Sequence, residues 1–381
     1  MVLPKKHSVV GNTIFSEMTA LAQQHNAVNL SQGFPDYEID GQLKKFLAEA
    51  TDKNFNQYSP MSGNPMLIEA LIHFNQKRKN PIHFGSDEVT ISAGATYGIF
   101  AALAAVISFG DEVIVLEPNY DSYVPAIEMN GGKPVFVKLA PDFSPDFNAL
   151  KSAISHKTKA IIINSPHNPS GKIWTNEQWN QLSDLIENTE IILISDEVYD
   201  LLTYDDRDFV SAFHHPKLKE RCFSIFSFGK MFHITGWKVG YVLASAELTK
   251  AYRSVHQYLA FSVNSPAQYA LAKYLEIFDP LENLKIMQQK RDFFVAQMND
   301  LPFTVNEKAE AGYFQILGFE KISTLPDKEF AVWLTENAKV ATIPVSAFYH
   351  HQQNTGTVRF CFAKKEETIL EAVSQLKKFL V

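Results

Sequence analysis

The sequence predicts an α/β protein: a mainly parallel seven-stranded sheet covered by helices, with a smaller α+β domain after it. Three observations predict it. Short runs of branched apolar residues alternate with helix-period segments from Val89 to Ala244. These runs are apolar at consecutive positions, as in Ile191-Ile-Leu-Ile and Ala160-Ile-Ile-Ile, so both faces of each strand are covered. After residue 280 the pattern changes to a long helical stretch followed by sparser strands, the mark of a second core.

Taken in order, residues 1–45 read as a loop-rich arm with a turn cluster at Gln32-Gly33-Phe34-Pro35-Asp36. Leu67, Ala70, Leu71 and Phe74 recur at helical spacing over 65–80. Strands follow at Val89–Ser92, Glu112–Leu116, Pro134–Leu139, Ala160–Ile163, Ile191–Ser195, Phe223–Ser227 and Val239–Ala244. Helices at Thr96–Ser108, Ser122–Met129 and Asn176–Glu187 lie between them. The tail gives a helix over 281–300, a strand at Gly312–Leu317, a helix over 327–339, a strand at Val358–Phe362 and a helix over 365–380. The expected division is an arm (1–45) packing on the small domain, a large domain (46–280) and a small C-terminal domain (281–381). A chain of 381 residues is too long for one core, which agrees.

Composition excludes several classes. Hydrophobic residues make 46% and charged residues 20%, with a net charge of −7, so nothing steers the protein to nucleic acid or an anionic membrane. The longest apolar span, Ile99–Ile107, is too short for a membrane helix, and the amino terminus has no apolar run after Lys5-Lys6 to make a signal peptide. A cytoplasmic enzyme is the expectation. Cys222 and Cys361 sit in apolar runs and read as buried thiols, with no zinc spacing.

In an open parallel sheet, ligands sit beyond the carboxyl ends of the strands. Asp196 directly follows an apolar strand, so its carboxylate is desolvated and calls for a cation, unless it merely caps a helix. Lys230 follows the next strand among Phe226, Phe228, Met231, Phe232 and Ile234. A dry lysine of this kind is a Schiff-base nucleophile, because desolvation lowers its pKa. Gly94, Ala95 and Thr96 turn a strand into a helix and present backbone N–H groups, a dianion site worth roughly 0.3–2 kcal/mol from the dipole. Ser227 and Lys238 flank Lys230 and close that cup. Asn168, in Asn-Pro-Ser-Gly171, and Tyr199, three residues after Asp196, are donors for a phenolic oxygen. A turn is the simpler reading of the first. Arg359, one of six arginines, lies in the apolar strand Thr-Val-Arg-Phe-Cys-Phe and needs a planar anion, a carboxylate of the protein or of a substrate.

Asn168-Pro-x-Gly171, Asp196-x-x-Tyr199, Ser227-x-x-Lys230 and Gly236-x-Lys238-x-Gly240 stand in one order, with 28 residues from Asn168 to Asp196 and 34 from there to Lys230. This resembles the fold type I, class I pyridoxal phosphate (PLP)-dependent aminotransferases. Asn29-Leu-Ser-Gln-Gly-Phe-Pro-Asp36, Asn56-Gln-Tyr58-Ser-Pro-Met-Ser-Gly63, Val255-His-Gln-Tyr-Leu259 and Phe360-Cys-Phe-Ala-Lys-Lys365 are similar to the bacterial methionine aminotransferase and kynurenine–oxoglutarate aminotransferase (glutamine transaminase K) branch.

The resemblance implies PLP as cofactor, an amino acid and a 2-oxo acid as substrates, and a homodimer in which Tyr58 reaches the neighbouring site. It also implies Tyr120 stacked on the cofactor ring, and Gly33 and Asn168 helping Arg359 hold the substrate carboxylate. Two positions depart from the wider class, Lys238 in place of arginine and Gly229 before the lysine. Methionine, aromatic amino acids, glutamine and kynurenine are the expected donors, with Phe15, Tyr37, Tyr97 and Phe348 as candidate pocket aromatics. Cysteine-conjugate β-lysis is the alternative on the same site. A Ser227-x-x-Lys230 hydrolase lacks its companion motifs, and a transcription regulator lacks room for a DNA-binding domain before Gly33.

Overall fold

A computed structural model describes residues 5–9 and 11–380. The first residues of the arm, 1–4, lie outside it, and so does residue 10. The strands are β1 (Val28–Asn29), β2 (Val89–Ser92), β3 (Glu112–Glu117), β4 (Lys133–Lys138), β5 (Thr158–Asn164), β6 (Ile192–Asp196), β7 (Cys222–Ser227), β8 (Gly240–Leu243), β9 (Phe314–Gly318), β10 (Val340–Ala341), β11 (Ile343–Pro344) and β12 (Thr357–Cys361).

Seven of them form the main sheet in the order β2-β8-β7-β6-β5-β3-β4. All neighbours pair in parallel except β8, which runs against both β7 and β2. Alternate side chains serve two cores. Ile162, Ile194 and Ile225 pack with the helix Ala95–Val106 on one face. Ile161, Ile163 and Leu193 pack with Trp179, Leu182 and Ile186 of the helix Asn176–Ile186 on the other. Burial on both faces is what the unbroken apolar runs require.

Strand polarity also decides where chemistry gathers. Asn164, Asp196 and Ser227 end β5, β6 and β7, and Gly240 at the start of β8 pairs with both Ser92 and Ser227. The turn after β2 and the residues just before β8 therefore meet the end of β7.

The C-terminal part carries the antiparallel sheet β11-β12-β9, packed with the helices Pro280–Met298, Asp327–Asn337 and Glu366–Leu380 around Met287, Phe294, Phe330, Phe360 and Leu376. The arm joins this core. β1 pairs in parallel with β10, and Met18 and Leu30 are buried among the same residues.

The loop-rich reading of the arm is corrected. Ile14–Gln24 is an α-helix, capped by Thr13, whose hydroxyl accepts from the Ser16 N–H. Ile14, Met18 and Leu21 carry the helical spacing that would have revealed it. A helix at Gly41–Asp52, which packs against Ser265–Leu275, spans the expected boundary at residue 45. No helix of the described residues is long and apolar enough to cross a membrane.

Candidate active site

A cavity of about 330 Å³ opens where β5, β6 and β7 end, within the size range of small-molecule sites. Gly33, Gly94, Ala95, Thr96, Tyr120, Asn168, Asp196, Tyr199, Ser227, Lys230, Lys238 and Arg359 all line it. The predicted site residues are thus brought together, with the single exception of Tyr58.

Asp196 is buried beneath the cavity. Tyr123 donates to its Oδ2 at 2.6 Å and the Val198 N–H to its Oδ1 at 3.4 Å. Burial pushes its carboxyl up to about 6, against the pull of Tyr123, the Val198 N–H and Lys230. Its main-chain oxygen accepts from Asn164 Nδ2 at 2.9 Å, and Asn164 Oδ1 accepts from the Asn168 N–H at 2.7 Å. One asparagine thereby ties the Asn168 turn to the end of β6.

Lys230 stands in the short helix Phe228–Met231 that follows β7. Its Nζ donates to Gly33 O at 2.8 Å and lies 5.6 Å and 5.5 Å from the ring centroids of Tyr199 and Tyr313. Burial lowers its pKa to about 8, helped by Arg359 and Lys238 and opposed by Cys361 and Asp196. The Gly229 departure has a steric reason. A Cβ there would sit 3.0 Å from Thr235 Cα and 3.2 Å from Ser227 Oγ, crowding the loop that orients Lys230.

The turn after β2 brings Gly94 beside Lys238. Gly94, at φ 83, caps the twelve-residue helix Ala95–Val106 with no side chain on its free N–H groups. A Cβ on Gly94 would lie 3.5 Å from Lys238 Nζ, so the ammonium stands directly over this turn. Lys238 itself adopts the left-handed conformation at φ 54, which carries it from the turn before β8 to the end of β2.

Arg359 is 1% exposed. Its Nη1 donates to Asn168 Oδ1 and its Nη2 to Ser31 O, both at 2.8 Å, while its buried Nε has no partner among the described residues. The guanidinium lies within 3.7 Å of the Phe314 ring centroid, 5.1 Å of Phe348 and 5.3 Å of Phe15. Burial holds its pKa down at about 10. No carboxylate within salt-bridge distance is recorded for it among the described residues, which leaves the internal ion-pair reading unsupported.

Tyr58 is 81% exposed, edge-on to Phe261 at 5.5 Å, and does not line the cavity of its own chain. Of the four candidate pocket aromatics only Phe15 lines it. Phe348 backs Arg359, Tyr37 donates to Met287 Sδ, and Tyr97 bonds His256 Nδ1 at 2.8 Å. Tyr123 and Tyr313 were missed as site residues. Each acts through a hydroxyl on an otherwise apolar surface, and nothing in the local spacing separates such a tyrosine from a core one.

The chemistry of this donor set suits PLP. An uncapped helix terminus beside an ammonium suits a phosphate, a desolvated carboxylate suits a protonated ring nitrogen, and a lysine with a lowered pKa suits an aldehyde. A family model described as aminotransferase class I and II matches residues 25–376. The chain is 41% identical to methionine aminotransferase of Escherichia coli strain K12 over 375 residues, 97% of this chain and 96% of that protein. It is 33% identical to kynurenine–oxoglutarate transaminase 3 of Rattus norvegicus over 404 residues, 96% of this chain and 87% of that one. Among solved structures it is similar to YbdL from Escherichia coli, for which a methionine aminotransferase function was identified, with a TM-score of 0.95, 40% identity, and 99% of this chain and 100% of that chain covered. The chain belongs to the class I and II aminotransferases, and it is a PLP-dependent aminotransferase.

Proposed function

We propose that this aminotransferase takes its amino group from a large neutral amino acid, methionine foremost and aromatic donors beside it, with glutamine and kynurenine in the same range, and passes it to a 2-oxo acid. One observation carries the reading. The cations lining the cavity are Lys230, Lys238 and Arg359. The first two serve the cofactor and the third the α-carboxylate, so the described residues of one chain supply none for an acidic side chain, whose charge would lack a partner from that chain. Phe15, Phe34 and Phe314 line the remaining wall. The names of the relatives agree. Cysteine-conjugate β-lysis finds no support of its own.

In this reading Lys230 would hold PLP covalently, Asp196 would face its ring nitrogen, and Asn168 and Tyr199 its phenolic oxygen. The N–H groups of Gly94, Ala95 and Thr96, with Ser227 and Lys238, would hold its phosphate, and Tyr120 would lie against its ring. When bound, PLP supplies an electron sink for the bonding pair released at the substrate Cα. The protein supplies the rest. Arg359 binds the α-carboxylate and fixes which Cα bond is presented. Lys230 Nζ, neutral above about pH 8, takes and returns the proton at Cα. Phe15, Phe314 and Phe348 keep water from the guanidinium.

Tyr58, exposed in one chain, completes the neighbouring subunit's phosphate site in a homodimer. The arm (1–45) packs on the small domain (281–381) and hands over to the large domain (46–280) within the helix Gly41–Asp52, and the enzyme works in the cytoplasm. Steady-state rates across amino donors test the substrate reading, and aspartate exceeding methionine and phenylalanine in kcat/KM overturns it.

A further inference from the structure

Three residues beyond Lys230, His233 holds a left-handed backbone at φ 60, a costly conformation for a residue with a Cβ. Both ring nitrogens are engaged. Nδ1 lies 2.9 Å from Tyr313 Oη and Nε2 lies 3.0 Å from Asn283 Oδ1. Tyr313 Oη donates to the main-chain oxygen of Lys230 at 2.6 Å, and its ring stands beside Lys230 Nζ. A carbonyl only accepts, so the single phenolic proton is committed to Lys230, and toward His233 the phenol oxygen is an acceptor. His233 therefore carries a proton on Nδ1.

In a neutral ring Nε2 is then an acceptor, yet it faces an amide oxygen. Turning the Asn283 amide by half a turn resolves this, because its Nδ2 is buried without a partner. The turn leaves a buried carbonyl oxygen in place of a buried N–H, the less costly orphan. The competing state, an imidazolium donating from both nitrogens, is opposed by burial, with Lys290 and Lys230 adding to it, against the pull of the Asn283 side chain. Tyr37, edge-on to the ring at 5.2 Å, places its Oη 3.5 Å from both ring nitrogens, longer contacts than those of Tyr313 and Asn283, and donates to Met287 Sδ.

We propose that His233 is a positioning residue for Lys230: an imidazole, protonated on Nδ1, that ties Asn283 of the helix Pro280–Met298 through Tyr313 to the Lys230 main chain. This rests on the reading of Lys230 as the lysine that holds the cofactor.

His233→Asn and His233→Gly separate the hydrogen bond from the backbone. Both residues accept φ near 60, and only asparagine offers an N–H where Nδ1 stood. Tyr313→Phe keeps the ring and removes the donor to Lys230. Borohydride reduction of each holoenzyme, followed by peptide mapping, should place the label on Lys230. We expect His233→Gly and Tyr313→Phe to lower kcat about tenfold with KM for the amino donor nearly unchanged, and to slow PLP uptake by the apoenzyme in proportion. His233→Asn should recover most of both, and the double variant His233→Gly/Tyr313→Phe should be no worse than either single change, since one relay is broken only once. Equal kcat and uptake in the asparagine and glycine variants overturn the relay. If His233→Gly fails to fold, wild-type kcat and uptake in Tyr313→Phe overturn it alone. A label on a lysine other than Lys230 overturns the Lys230 reading instead, so the two failures are distinct.

Discussion

The guanidinium carbon of Arg359 sits 3.7 Å from the centroid of the Phe314 ring while its Nη1 donates to Asn168 Oδ1. Stacking and a directed fork are properties of arginine that lysine lacks. Arg359→Lys should raise KM for the amino donor roughly 10- to 150-fold, the loss of about 1.5–3 kcal/mol, with a smaller change in kcat. Initial-rate kinetics with methionine check it, and an unchanged KM would show that the carboxylate binds elsewhere.

Lys230, with its pKa lowered to about 8, is largely protonated at pH 7 and largely neutral at pH 9. Only the neutral amine attacks an aldehyde, so PLP uptake by the apoenzyme should accelerate with rising pH through about 8 and level off about one pH unit higher. Stopped-flow absorbance follows it. A rate that is flat from pH 6.5 to 9 contradicts the assignment. Lys230→Ala should lose turnover altogether.

Asp196 keeps its charge in a buried place with the help of Tyr123. Asp196→Asn removes the proposed partner of the ring nitrogen and should lower kcat/KM by about two to four orders of magnitude, the ~3–5 kcal/mol of a broken buried pair. Tyr123→Phe, which removes one hydrogen bond to that carboxylate, should cost about tenfold. No loss in Tyr123→Phe would mean that the tyrosine matters for packing rather than for charge.

Gly94→Ala forces a side chain onto φ 83 beside Lys238. The strain, of order 1–3 kcal/mol, should appear as weaker cofactor retention on dialysis with little change in the melting temperature of the apoenzyme. Retention equal to wild type would place the phosphate away from this turn.

Tyr58 invites a mixing experiment. Lys230→Ala and Tyr58→Ala chains, each impaired alone, should regain activity when refolded together. The hybrid pairs an intact Lys230 with a Tyr58 donated by the other chain. No recovery above the sum of the separate preparations means that Tyr58 does not cross between subunits.

The sheet and most of the cavity were legible because strand runs such as Ile161–Ile163 are apolar without interruption and the reactive residues fall directly after them. Where the reading failed, the physics was non-local. The helix Ile14–Gln24 is short and amphipathic and takes its stability from a core some 300 residues away in sequence, around Phe330 and Phe360. Tyr37, Tyr97 and Phe348 are aromatic, as a pocket wall would be, but tertiary partners direct them to Met287, His256 and Arg359. Gln32 and Asn164, which line the cavity, were read as parts of turns rather than as site residues.

Three consecutive residues of the arm have an effect out of proportion to their size. Ser31 O accepts from Arg359, and Gly33 O accepts from Lys230. A single stretch of main chain thus grips both the proposed cofactor lysine and the proposed carboxylate-binding arginine. A tag or truncation that tugs at the amino terminus would loosen both grips together, and damage far from the sheet would be felt as a loss of recognition and of reactivity at once.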